Sequence, residues 1–306
     1  MKKIIALVLV LCSFSCLFAK LDVYFVDVGQ GDAIVINADG HWAIIDGGDT
    51  GTSSKLYSYI NNTLKISNFE LIVLTHPDKD HVGGLSGAIQ GKVTKNTVVW
   101  CNASATDRYF TSFKTTVENF GSKLISPYPG DVVNLGSAQI TLVGPLLDME
   151  NENDNSLVVR LDYKGKSFLF TGDISQSAES RLTTRYATAN DFGNGFKSAM
   201  LHVNVLKIAH HGSSSSTSIM FLECVSPDIA IISVGAGNRY GHPTETTLSR
   251  LIQSDVDVYR TDYNGTITVS VSDTGVLTVS TQFKNNQPWF NENLLSSWQK
   301  KQRGLL

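Results

Sequence analysis

The stretch LTHPDKDHVGG, residues 74–84, sets two histidines and two aspartates within six positions: His76, Asp78, Asp80 and His81. The chain holds seven histidines in 306 residues, so their concentration here constrains the fold strongly. The preceding FELIV is apolar and β-branched, which reads as a buried strand, and the following Gly-Gly opens the next element. Side chains of a loop leaving a strand can converge where a sheet ends. Imidazole and carboxylate are the ligands of Zn²⁺, Mn²⁺ and Fe²⁺. Four such groups gathered without a cation would place ionised carboxylates against one another. Four exceed the needs of one metal and point to a pair.

Further candidates fall at strand ends. Asp46 closes WAIIDGG, and Asp173 closes SFLFTGD, a strand so apolar that a terminal carboxylate needs a partner. His210 and His211 end VLKIAHHGSSSS, and His242 lies in NRYGHPTE. A His-His-Gly at the end of a buried strand suits metal or acid–base chemistry. Five of the seven histidines thus lie in strand-terminal loops; His41 and His202 are left over.

Strand signals come in two runs. LDVYFVDVG (21–29), DAIVIN (32–37) and HWAIIDGG (41–48) form a meander, followed by a helix over 53–64, a strand over 69–76 and a helix beginning at GGLSGAIQ. The second run is AQITLVGP (138–145), NSLVVRLDY (155–163) and KSFLFTGD (166–173), then a helix over 177–187, strands over 203–212 and 228–235, and a helix over 244–255. The stretch 257–281 reads as hairpin-rich, with Asn264-Gly265 as a turn signal. Two β-rich halves with interspersed helices predict two sheets packed face to face with helices outside. No fixed-period repeat is visible. The tail, 283–306, is at best an amphipathic docking helix.

Residues 1–19 are of a different character. A basic MKK precedes IIALVLVL and CSFSCLFA, which reads as a secretory signal peptide cleaved after Ala19. The apolar run is shorter than the roughly 20 residues that span a bilayer, which argues for removal over a retained anchor. Lipid attachment at Cys16 is a third route. The expected location is therefore extracytoplasmic, secreted or periplasmic. The mature chain would keep Cys101 and Cys224, which make no disulfide framework but would pair if close. The net charge of −3 demands no nucleic-acid partner and does not exclude one held through metal ions. The oligomeric state is left open.

The order Asp46, His-x-Asp-x-Asp-His, Thr-Gly-Asp173 and His-His-Gly resembles the metallo-β-lactamase fold. FVDVGQGDAIVI, AIIDGG, LTHPDKDHVGG, ENDNSLVVRL, FLFTGD, VLKIAHHGS and SVGAGNRYGHP, taken together over residues 21–282, resemble the hydrolase domain of ComEC-type DNA-uptake proteins. The resemblance implies an α/β (α+β) four-layer αββα sandwich over residues 20–282, with one or two divalent metal ions, Zn²⁺ or Mn²⁺. His76 resembles the first ligand of one metal, and Asp78 stands where most of the superfamily has a histidine. Asp80 and His81 resemble ligands of the second metal, with Asp80 also placed to orient or activate water. Asp173 resembles the bridging carboxylate. The superfamily's histidine between the two halves has no counterpart; Asn155 and Ser156 occupy that stretch, which favours a hard ion such as Mn²⁺, and both are expected to bind substrate. The last ligand is left open between the His210–His211 pair and His242, with His242 alternatively a proton donor to the leaving group. Lys207 is placed either to hold a phosphate or as a surface lysine, and Ser213 and Ser214 either donate to phosphate oxygens or belong to a plain serine-rich loop.

These features imply hydrolysis by a metal-activated hydroxide, the ion lowering the pKa of water from 15.7 to about 7 in the zinc case. The substrate expected first is a phosphodiester or nucleic acid. Small esters, lactones or lactams are the alternative, since fold does not fix function, although Asp78 argues against a β-lactamase. A non-catalytic metal-binding module is the third reading. The transmembrane channel of ComEC-type proteins is not present in this chain.

Overall fold

The structure is a computed structural model that describes residues 20–103, 105–187 and 200–289. The leader expected over 1–19 and the tail beyond residue 289 lie outside the described residues. Among those described, no helix is long and apolar enough to cross a membrane.

The first sheet begins with β1 (Leu21–Phe25), β2 (Ile34–Ala38), β3 (His41–Ile45), β4 (Leu71–Val73), β5 (Val98–Trp100) and β6 (Leu124–Ile125). The second holds β7 (Val132–Leu135), β8 (Ala138–Gly144), β9 (Val158–Tyr163), β10 (Lys166–Phe170), β11 (Val205–Lys207), β12 (Ile229–Ile232) and β13 (Asp257–Arg260). The chain then returns to the first sheet with β14 (Ile267–Val271) and β15 (Leu277–Thr281). The strand orders are β15-β14-β1-β2-β3-β4-β5-β6 and β13-β12-β11-β10-β9-β8-β7. Each sheet changes from antiparallel to parallel pairing, at β3–β4 and at β10–β11. Ligand-binding loops of open sheets collect at the carboxyl ends of such strands.

Period-two alternation sorts the side chains into layers. Leu21, Val23 and Phe25 of β1 share the inter-sheet core with Phe168 and Phe170 of β10, while Val35 and Ile72 face the other way. The Phe25 and Phe170 rings lie 6.2 Å apart, joining the two sheets. Outside the first sheet pack α1 (Ser53–Ser58), α2 (Lys79–Val82), α3 (Leu85–Ala88) and α4 (Arg108–Asn119), over Ile44, Ile72 and Val99. Outside the second pack α5 (Gln176–Ala187), α6 (Ile219–Val225) and α7 (Glu245–Gln253), over Leu169, Leu206 and Ile232. The layers run helix, sheet, sheet, helix.

Three sequence expectations change. Asn264-Gly265 is not a hairpin turn: it ends the single-turn helix α8 (Thr261–Asn264), where the chain crosses from β13 in one sheet to β14 in the other. The helix expected over 53–64 ends as α1 and widens into a π turn, Tyr59–Thr63. Cys101 and Cys224 are free thiols; Cys101 packs in the core under the first sheet and Cys224 against the core under the second, so they cannot pair.

Candidate metal centre

The loop after β4 carries His76 to Val82 across the carboxyl ends of the first sheet, and α2 is a single turn within it. Its path is fixed by two close approaches of backbone. A Cβ at Gly84 would fall 2.2 Å from the Gly47 carbonyl oxygen, and one at Gly31 would fall 2.2 Å from the Asp80 carbonyl oxygen. The Asp32 amide donates to that same Asp80 carbonyl at 3.1 Å. The Gly-Gly pairs and the Gly-Gln-Gly-Asp turn are therefore the seams between three loops.

At the centre are the buried side chains of His76, His81, Asp173 and His211. Nε2 of His81 lies 3.4 Å from Asp173 Oδ1, and Nε2 of His211 lies 3.4 Å from Asp173 Oδ2 and 3.2 Å from Asp80 Oδ2. Ligand atoms of His76, His81 and Asp173 fall within 4.8 Å of one another, as do those of Asp80, His81 and His211. Asp173 also joins Asp32 and His211 in a further set, so its carboxylate stands in two neighbouring donor sets.

The other edges of these rings are tied down. Asp46, fully buried, takes Nδ1–H of His81 at 2.7 Å and is itself held by the Thr75 amide at 2.8 Å and the Thr75 hydroxyl at 2.6 Å. Nδ1 of His211 donates to the Ser233 carbonyl at 2.9 Å. Fixing Nδ1 in this way fixes the tautomer and leaves Nε2 as the free donor to a metal. His210, His211 and Gly212 are all left-handed, with φ of 50°, 52° and 85°. Consecutive non-glycine residues in that region are strained and occur where surrounding structure holds them. A Cβ at Gly212 would meet Pro243 Cβ at 2.5 Å, which binds this turn to the His242 loop.

The donor set fits a divalent cation. His76 Nε2, His81 Nε2, His211 Nε2 and Asp173 Oδ1 are buried polar atoms with no hydrogen-bond partner, and such atoms in a packed interior need a ligand. Burial works against charge on His81 and His211, yet the carboxylates of Asp173, with Asp46 or Asp80, hold both imidazoles above their ordinary range. Burial likewise opposes ionisation of Asp80, but His211, whose Nε2 stands 3.2 Å from its Oδ2, and the field of His81 keep its carboxyl well below the usual range. A field that favours a proton on two imidazoles also favours a metal ion between them.

The structure places the remaining sequence candidates less uniformly. Asp78 caps the metal loop 3.7 Å from His76 Nε2 but stays half exposed and outside the tight donor sets. Of the three histidines left open for the last place, His211 converges on the cluster. His210 Nε2 stands 3.8 Å from Asp173 Oδ2 but joins none of the donor sets, and His242 is likewise absent from every donor set among the described residues. Burial lowers the affinity of both for protons, His242 being further depressed by His210 and His211.

Lys207 is neither a surface lysine nor a phosphate holder. It is fully buried, with its ammonium bonded to Asp32 and 3.9 Å from Asp173. Asn155 does not face a substrate: its amide group bridges the Met149 amide and carbonyl, closing its own loop. Ser156 is buried, donates to the Asn153 carbonyl and accepts the Asp173 amide at 3.2 Å, so it positions the bridging residue. Ser213 bonds Ser215 and its carbonyl accepts from Thr247, while the Ser214 carbonyl accepts from Gln176 and Arg250; both serve the turn. Asp32 went unsuspected. Its signal was an acidic residue after a Gly-x-Gly turn next to a strand of the central meander.

The sequence profile of the Metallo-beta-lactamase superfamily matches residues 26–236. The chain belongs to the metallo-β-lactamase superfamily. By this membership and by its donor set it is a metal-dependent hydrolase. Among curated relatives it is 28% identical to ComE operon protein 3 of Bacillus subtilis over 272 residues, covering 83% of this chain and 33% of that protein. It is 26% identical to Competence protein ComA of Neisseria gonorrhoeae, over 82% of this chain and 32% of that one. The chain therefore spans about a third of the length of these relatives. A solved CmlA β-hydroxylase mutant covers 78% of this chain and 52% of its own, at 11% identity and a TM-score of 0.50, a likeness of fold alone.

Proposed function

We propose that this superfamily member hydrolyses phosphodiester bonds, acting as a nuclease or phosphodiesterase outside the cytoplasm. The observation that carries the reading is the mixed donor set: the carboxylates of Asp80 and the shared Asp173 stand with three histidines, His76, His81 and His211, and Asp78 lies just outside it, 3.7 Å from His76 Nε2. Carboxylate-rich sites suit hard ions, and paired ions suit in-line displacement at phosphorus. Relatives named for competence agree with a nucleic-acid substrate. The signal peptide expected over residues 1–19 would support export.

When bound, divalent ions supply activation of water and neutralisation of charge developing on the phosphoryl oxygens. The chain's own residues supply orientation. Asp46 and the Ser233 carbonyl aim His81 and His211. Asp80, at the exposed side of the cluster and ionised, is the carboxylate that can accept a hydrogen bond from attacking water and orient it. His242, neutral and with a buried unpartnered Nδ1, lies at the cluster's edge as a hydrogen-bonding group toward the leaving oxygen.

The test is the purified mature protein with Mn²⁺ or Zn²⁺, given bis-p-nitrophenyl phosphate, plasmid DNA and a cephalosporin. Cleavage of the first two, lost in Asp80→Ala and Asp173→Ala, is expected. Lactam turnover with intact DNA overturns the reading.

A further inference from the structure

A file of rings leads from the metal cluster to solvent. His76 and His81 lie 4.1 Å apart, His81 and His211 5.3 Å, His211 and His210 6.2 Å, His210 and His242 5.6 Å. The file ends at Tyr240, which stacks on His242 at 5.7 Å with planes 24° apart and is 52% exposed. The Arg239 guanidinium lies 4.9 Å from the Tyr240 ring centre and donates to the Tyr240 hydroxyl at 2.8 Å, and Arg239 is exposed.

This terminus is held rigidly. Asn238 Oδ1 accepts the amides of Tyr240 at 3.1 Å and His242 at 3.0 Å, and its amide nitrogen donates to the Gly235 carbonyl at 3.0 Å. What sets Tyr240 apart from the other exposed aromatics is that it continues the file of rings that begins at the cluster.

We propose that the Arg239–Tyr240 stack is a platform for an unpaired nucleobase next to the scissile phosphate, making single-stranded nucleic acid the preferred substrate. The assignment rests on the phosphodiester reading above. Base stacking on aromatic and guanidinium planes tolerates sequence because every base has a π-face. A base in a duplex is already stacked on its neighbours and cannot reach the platform without being unpaired. The platform also answers the acidic balance of the chain: holding the base by stacking lessens dependence on a basic groove.

The test is binding of a labelled single-stranded oligonucleotide with a phosphorothioate backbone to the metal-loaded protein, followed by anisotropy, beside cleavage of the ordinary oligonucleotide. Tyr240→Ala is expected to weaken binding roughly tenfold or more, raising KM more than it lowers kcat. Tyr240→Phe should retain most of the affinity, and an oligonucleotide without bases should bind wild type and Tyr240→Ala alike. A duplex should bind less tightly than the single strand. An unchanged metal-induced thermal shift in Tyr240→Ala shows that the cluster is intact. Equal binding of the single strand by wild type and Tyr240→Ala, or no binding by wild type, overturns the platform. Binding that depends on Tyr240 without any cleavage would instead remove the hydrolytic reading and keep the platform.

Discussion

The Asp46 carboxylate stands 2.7 Å from Nδ1 of His81, and both side chains are shut off from water. Asp46 is itself left-handed, with φ of 58°, and clamped by Thr75. Asn tolerates that backbone and nearly preserves the shape, but offers either a weaker acceptor or a misplaced donor to Nδ1. Asp46→Asn is expected to weaken metal binding about 10- to 100-fold, read by chelator competition, while the protein stays folded. Undiminished affinity would show that Asp46 is only a loop clamp.

Lys207 and Asp32 form the second buried relationship beneath the cluster, with Asp32 Oδ1 3.6 Å from Nδ1 of His211. Removing one member of a buried ion pair strands the other, at about 3–5 kcal/mol. Lys207→Met is expected to lower stability by that order in urea unfolding, and the double variant Asp32→Asn with Lys207→Met to recover part of it. A single variant as stable as the wild type would mean that water reaches Asp32.

Unpartnered nitrogens on His76, His81 and His211 predict that metal is part of the folded state's stability. A ligand at 100 times its Kd adds about 2.7 kcal/mol. Thermal melts should therefore rise on adding Mn²⁺ or Zn²⁺ and fall with EDTA. Asp173→Asn, which removes a carboxylate shared by the donor sets, should abolish most of the rise. An unchanged shift in that variant would place the ion elsewhere.

The metal loop was legible because its chemistry is local: His76, Asp78, Asp80 and His81 sit within six residues, and strand-terminal polar groups stand out against apolar runs. The two-sheet sandwich was legible in its two runs of short strands. What local pattern could not give was long-range partnership. Lys207 ends an apolar strand like a surface lysine, and only its packing against the β1–β2 turn turns it towards Asp32. The choice of His211 over His210 depends on two left-handed residues that point the rings in different directions. Asn155 and Ser156 stand in the stretch where the family has a histidine and look available to substrate, yet their side chains are consumed by the Met149, Asn153 and Asp173 backbones. Likewise β13 and β14 look like one hairpin until the sheets are assigned, because sequence adjacency carries no information on which layer a strand joins.

Asp39, in the turn between β2 and β3, ties the two sheets together. Its carboxylate accepts the Ser137 amide at 2.9 Å, the Tyr163 hydroxyl at 2.8 Å and the Lys20 amide at 3.0 Å. Burial alone would raise its pKa, but the bonds from Ser137, Tyr163 and Lys20 outweigh it and hold the carboxyl below its ordinary value. A depressed carboxyl means the folded state binds fewer protons than the unfolded chain between the two pKa values. Its stabilisation is therefore complete above the unfolded value, about 3.9, and is lost as pH falls through the folded one. Asp39→Asn keeps the left-handed turn, with φ of 57° in the wild type, but loses the charged acceptor. It is expected to cost about 1–2 kcal/mol at pH 7, allowing for partial exposure. The gap to wild type should narrow below pH 4, because protonation removes the same interaction from the wild type. Urea titrations at pH 7 and pH 3 decide it: a gap that stays constant across that range would mean Asp39 acts by shape, not by charge.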